Sequence, residues 1–238
     1  MIIGNISTGN TVFYGVTLVP TLAGSLLFTG GSTSHGGSYL SLSPGISIAG
    51  GAYTIEGWFQ LPNFTNAYGI MGANAVWGLS LFVTNSTTIT TDSYGGHGQF
   101  SYTVPTMSIN KWYYFALTRN SSNQETLFLG STPGLSAARS SSGVQTNTIN
   151  YYTSSNPTND IGTYYGQEWP GYMTNLRVVV GSNVYDPTQT SITAPNAPLT
   201  AITNTQYLML GGAVTTDSSG IQTVTSHGTI TQSSTKPF

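Results

Sequence analysis

The chain has 238 residues, a formal charge of −2 and no cysteine, and only 5% of its residues are charged, against roughly 25% in ordinary soluble proteins. Its five basic residues, Lys111, Arg119, Arg139, Arg177 and Lys236, are scattered, which argues against a nucleic-acid partner, and without cysteine there is neither a disulfide framework nor a thiolate metal site. No apolar run approaches the ~20 residues that a membrane-spanning helix requires, so no membrane partner is expected. The amino-terminal run has no basic segment and breaks at Gly4, so no Sec-type leader is expected. An extracellular location would then be reached inside a particle or by lysis. So little charge gives little colloidal repulsion, which fits either a chain held in an assembly or a monomer solubilised by hydroxyls and amides.

Residues 1–24 read as an arm or edge strand, able to close the chain's own sandwich or to pair with a neighbouring subunit. Residues 25–238 read as one β-sandwich, a fold that commonly runs to about 200–250 residues as a single domain. From Ser25 the pattern is a series of short strands separated by turn chemistry: SLLFTG, SYLSLS, a turn at Pro44 and Gly45, ISIAGG, and AYTIEGWFQL. In the last of these Tyr53, Ile55, Phe59 and Leu61 share one face, and Thr54, Glu56, Trp58 and Gln60 the other. YGIMGA, VWGLSLFV, TTITTDS and QFSYTVP follow, and then KWYYFALTR, apolar on both faces and so placed centrally in a sheet. The sheets are expected to close over Trp58 and Trp112. After ETLFLGS, residues 132–160 read as the longest surface segment, with strand character near 144–152. A short strand, an aromatic loop and a long strand come next, and the tail from Tyr207 holds two more. No helix-length periodicity and no fixed repeat are present.

The fragments at 28–30, 53–58, 112–116, 127–130, 161–162 and 171–177 occur in an order that resembles the laminin G-like branch of the concanavalin A-like lectin/glucanase superfamily. The likeness covers residues 25–198, and the ending, TDSSG then SHGTITQSSTKPF, resembles the closing strands of versions found in phage and other viral structural proteins. It implies an all-β, two-sheet antiparallel jelly-roll sandwich. The glucanases of that superfamily hold an acid and a nucleophile on one strand face, about 5–5.5 Å apart. Glu56, Glu125 and Glu168 lack a carboxylate two or four residues away, so no catalytic residues are assigned. Calcium-binding members use rim carboxylates. Asp92 and Asp160 are the candidates here, without the cluster that would supply about six to eight oxygen ligands, and no other cofactor is expected.

His35, His97 and His227 each precede glycine, and a serine precedes the first and last. A hydrolase with Asp92, Asp160 or Asp217 as orienter is one reading, and turn histidines are the preferred one. In GTYYGQEWPG, Tyr164, Tyr165 and Trp169 stand near the amides of Gln167 and Asn159. Core packing, a subunit interface or a glycan site all fit these residues, because rings stack on pyranoses while amides bond hydroxyls. Tyr68, Trp77 and Tyr94 are lesser candidates. Sequons at Asn5, Asn63, Asn85 and Asn120 carry little weight in so Ser/Thr-rich a chain. Glu56, Arg119 and Arg177 lie inside strands and should form at least one ion pair if buried.

The function expected is a non-enzymatic virion structural protein (capsid decoration, fibre or tail), whose partners are copies of itself or other virion proteins. The alternative is a stand-alone module binding carbohydrate at a cell or particle surface, and a carbohydrate-active enzyme ranks last.

Overall fold

Strict alternation along residues 53–60 sets the architecture, and the computed structural model, which describes residues 22–31, 36–73, 78–93, 98–151 and 158–238, shows both faces of that strand buried. Strands are numbered β1–β19 along the chain. The larger sheet runs in the order β16 (Ser191–Thr193), β10 (Ser136–Arg139), β9 (Gln124–Gly130), β8 (Tyr113–Arg119), β3 (Tyr53–Gln60), β15 (Tyr172–Val180), β1 (Ser25–Phe28), β19 (Ile230–Ser233). Two short strands join it, β11 (Gln145–Thr146) on β9 and β17 (Thr205–Met209) on β15. The smaller sheet runs β18 (Thr223–His227), β2 (Tyr39–Ile46), β12 (Thr158–Ile161), β4 (Tyr68–Ala73), β5 (Leu79–Asn85), β6 (Thr88–Ser93), β7 (Gln99–Thr103). All these pairings are antiparallel, and every regular element among the described residues is a strand. The expected jelly-roll sandwich is the observed fold.

Tyr53, Ile55, Phe59 and Leu61 point between the sheets, as do Tyr113, Phe115 and Leu117 of β8, where they meet Leu40, Leu81 and Val83 of the smaller sheet. Strand β8 is central, between β3 and β9, as its two apolar faces predict. The place expected for Trp58 and Trp112 is corrected. Trp58 is buried and Trp112 half-buried, yet both belong to a second cluster on the outer face of the larger sheet, with Tyr114, Phe128, Ile192 and Phe238. Pro44 and Gly45 lie within β2 rather than in a turn between strands, and the Ser43–Pro44 peptide is cis. The 132–160 segment is less superficial than expected, since Asn147 and Tyr151 are fully buried. The arm lies outside the described residues up to position 21, and Leu22, where description begins, is buried with its carbonyl accepting from Lys236 Nζ at 3.2 Å.

Two buried charge clusters hold the larger sheet. On its outer face Arg177 pairs with Glu56 at 2.6 Å, its cross-strand register partner. Glu56 also accepts from Tyr114 Oη at 2.7 Å and Tyr185 Oη at 2.9 Å, and Arg177 Nη1 donates to the carbonyl of Thr200 at 2.8 Å. On the inner side Glu125 accepts from Tyr53, Tyr102 and Asn147, and burial pushes its carboxyl up. Arg119, opposite Glu125 in register, donates to the carbonyl of Ile149 at 2.9 Å and to Asn123 Oδ1 at 2.7 Å. At one edge of the smaller sheet a turn caps β7. Ser142 Oγ accepts from Thr103 N at 2.9 Å and donates to the carbonyl of Ser101 at 3.2 Å, while Ser141 N donates to the carbonyl of Thr103 at 2.9 Å.

Removing one partner of a buried pair strands the other charge, so Arg177→Met should lower unfolding free energy by about 3–5 kcal/mol. Adding Glu56→Gln should recover part of that loss, and urea denaturation of the single and double variants measures both.

Candidate functional site

Much of the outer face of the larger sheet is covered, with a cleft of ≈ 560 Å³ at its β16 edge between residues 134–136, Tyr185 and residues 189–193. The segment 181–204 crosses that face, tied down where Val184 N donates to Thr54 Oγ1 at 2.9 Å, Thr118 Oγ1 to the carbonyl of Tyr185 at 2.9 Å, and Leu199 N to Asn175 Oδ1 at 2.7 Å. The smaller sheet presents a second face to a ligand, and its outer side carries Tyr39 and Ser41 of β2, Asp160 of β12, Phe82 of β5 and Asp92 of β6.

A two-stranded hairpin, β13 (Thr163–Tyr164) and β14 (Gln167–Glu168), lies across that side. Glycine makes the close approach possible: a Cβ on Gly69 would sit 2.1 Å from the carbonyl carbon of Thr163 and from Tyr164 N, and one on Gly72 would sit 2.7 Å from Thr163 O. Tyr164 pins the hairpin, with its ring stacked on Phe82 at 3.9 Å and its hydroxyl donating to Asp92 Oδ2 at 2.8 Å. The hairpin turn is Tyr165–Gly166, with φ of +48° and +77°, the double left-handed geometry of a type I′ turn. Asn, Asp or Gly usually fill its first position. A tyrosine there costs energy, and such strain gathers at binding sites. Tyr165 is 59% exposed.

Beside the hairpin is a cleft of ≈ 420 Å³, lined by Gly31, Thr65, Tyr68, Thr84, Gln167 and Glu168 among others. Glu168 is buried. Its Oε1 accepts a long bond from Gly37 N at 3.3 Å, and its Oε2 has no partner among the described residues, nor do Gln167 Oε1, Thr163 Oγ1 and Asp160 Oδ1. Burial pushes the Asp160 carboxyl up to about 7. Tyr39 is also raised, by its own partial burial and then by the charges of Asp160 and Glu168, which places both acids near its ring. The other side of Tyr39 stacks on His227 at 4.3 Å, and His227 Nε2 lies 2.8 Å from Ser41 Oγ.

The structure separates the residues that the sequence grouped. Trp169 is fully buried in the inter-sheet core, edge-on to Phe59 at 5.4 Å, so it packs and offers no face to a sugar. Tyr164 is half-buried and engaged by Phe82, whereas Gln167 lines the cleft and Tyr165 is exposed next to Gly166 of its wall. Asn159 falls where the register of β12 on β2 and β4 shifts between Thr158 and Asp160. Tyr68 is core, its hydroxyl on Asn63 Oδ1 at 2.5 Å, and Trp77, Tyr94, His35 and His97 lie outside the described residues.

Asp92 and Asp160 do not fit a shared calcium ion. Strands β4 and β5 separate them, a gap of about 14 Å at ~4.8 Å per strand, and no group of three or more His, Asp or Glu among the described residues is arranged to hold a metal. The hydrolase reading of His227 also fails on order. Ser41 on β2 stands between His227 on β18 and Asp160 on β12, whereas a triad needs histidine in the middle. The sequence analysis does not anticipate that Asp160 and Glu168 both act on Tyr39, because the two acids belong to different elements, β12 and β14.

A buried Asp raised from 3.8 to about 7 contributes stability below pH ~4 that is lost as pH rises through ~7. Melting curves from pH 5 to 8 should therefore show the parent losing stability relative to Asp160→Asn as pH increases. Gly69→Ala should push the hairpin off the sheet, and hydrogen exchange should show faster exchange across 163–168 with β3 and β8 still protected.

No family model matches the sequence, and no curated protein matches it. Among solved structures the chain is similar to a protein from Bacteroides ovatus to which carbohydrate binding has been ascribed, with a TM-score of 0.63 and 16% identity over 87% of this chain and 60% of that one. It thus spans about three fifths of that protein. It is also similar to the heptameric SAP-like pentraxin of Limulus polyphemus, with a TM-score of 0.50 and 13% identity over 70% of this chain and 79% of that one. Domains LG4-5 of the mouse laminin α1 chain align with a TM-score of 0.46 and 13% identity, over 74% of this chain and 47% of theirs. At these identities the likeness shows the fold alone, the two-sheet sandwich shared with the Bacteroides protein and the pentraxin.

Proposed function

We propose that this chain is a non-enzymatic carbohydrate-binding module that works at a cell or particle surface through the outer side of its smaller sheet. The observation that carries the reading is Tyr165, held at positive φ on the tip of a pinned hairpin and exposed beside a cleft with unpartnered acceptor oxygens. A flat ring next to fixed hydrogen-bonding groups is the combination that sugar recognition uses. The likeness to a protein with ascribed carbohydrate binding supports it. Catalysis is disfavoured by burial. Asp160 is 1% exposed, too enclosed to act as the second carboxylate across a scissile bond, while Glu56 and Glu125 are engaged on either side of the other sheet.

A second reading, a virion structural component assembled from copies of itself or with other virion proteins, rests on the 5% charged composition. Size measurement separates the two: a monodisperse ~25 kDa species at micromolar concentration counts against assembly.

On a glycan array, Tyr165→Ala should weaken binding roughly tenfold, the loss expected for a stacked ring, with no change in melting temperature. Trp169→Ala should instead destabilise the fold by about 3–5 kcal/mol. Release of reducing ends from any glycan by the parent chain would overturn the non-enzymatic assignment.

A further inference from the structure

The charges on this chain are distributed unevenly. Three of its seven acidic residues, Asp92, Asp160 and Glu168, lie on the outer side of the smaller sheet or on the hairpin across it. None of the five basic residues does. Arg177 and Arg119 are buried against the larger sheet, and Arg139 donates to the carbonyl of Thr188 at 3.0 Å beside it. Lys111 sits 5.6 Å from the Tyr113 ring at the start of β8, and Lys236 bonds Leu22 beyond β19.

The cleft also has buried acceptors at its wall. Glu168 and Gln167 line it, and among the described residues Glu168 Oε2, Gln167 Oε1 and the Oγ1 of Thr163, the register partner of Glu168, are buried and have no partner. Buried acceptors are costly unless a donor reaches them, so the group that completes this cleft must bring O–H or N–H. A carboxylate, sulfate or phosphate would instead face like charge without a counter-ion.

We propose that the cleft between the 163–168 hairpin and residues 65–68 takes the donor-bearing edge of a non-acidic sugar, neutral or amino, and rejects acidic ones, with Glu168 as the specificity-determining residue. This rests on the glycan-binding reading above.

An array carrying neutral and amino-sugar oligosaccharides beside their sialylated, sulfated and uronic-acid counterparts, probed in EDTA, tests it. The parent chain should bind non-acidic members, with their acidic counterparts at least ~10-fold weaker. Glu168→Gln, checked for an unchanged melting temperature, should narrow that ratio. Gln167→Ala should weaken non-acidic binding and leave the ratio in place, which keeps the test informative if Glu168→Gln does not fold. Equal or better binding of acidic members, a ratio unmoved in folded Glu168→Gln, or binding that appears only with added Ca²⁺ overturns the proposal while glycan binding stands. Binding to no glycan removes the glycan-binding reading, and this proposal with it.

Discussion

The buried Glu56–Arg177 pair is the interaction on which the rest depends. Two charges under a loop are tolerable only when each is paired and its remaining valences are met, and here two tyrosine hydroxyls and a backbone carbonyl complete the set. One consequence is mechanical, since the pair ties β3 to β15 and also anchors the crossing segment through Tyr185 and Thr200. The other is spatial. With most of the larger sheet covered on both sides, the hairpin and its cleft are left on the smaller sheet.

That sheet is built for access in a different way. Its strand β4 gives up side chains at Gly69 and Gly72, and the space is taken by the backbone of a hairpin rather than by solvent. Stacking and a tyrosine–carboxylate bond then fix the hairpin, so the exposed ring at its tip is preorganised and loses little freedom on binding. Strain at Tyr165 is compatible with folding because the turn is short and its flanks are held.

Much of this was legible in the sequence, and the failures have physical causes. Alternation along 53–60 and 113–119 reported the facing of each side chain directly, because a pleated strand has a period of two. What alternation cannot report is which covering a buried face receives. Trp58 and Trp112 looked like inter-sheet residues, yet a loop and the terminal Phe238 cover Trp58. The sequence left Trp169 open between core, interface and glycan site because its own neighbours are glycine and proline, whereas its packing partner Phe59 comes from a distant strand. Tyr165 lies beside the cleft and Gln167 in its wall, and the signal that singles out Tyr165, a Tyr-Gly turn between two very short strands, is a rare one. The carboxylates of Asp160 and Glu168 belong to different elements, and only the bend at Gly162 brings them near the same tyrosine ring.

The serine turn over β7 matters for a protein with so few charges. Exposed sheet margins invite sideways polymerisation, and most proteins discourage it with lysine. Here hydroxyls of Ser141 and Ser142 occupy the backbone groups at Ser101 and Thr103, so another molecule cannot extend the sheet at that stretch. Any filament or shell made from this chain would have to grow from other contacts, and the chain can stay dispersed there without electrostatic repulsion.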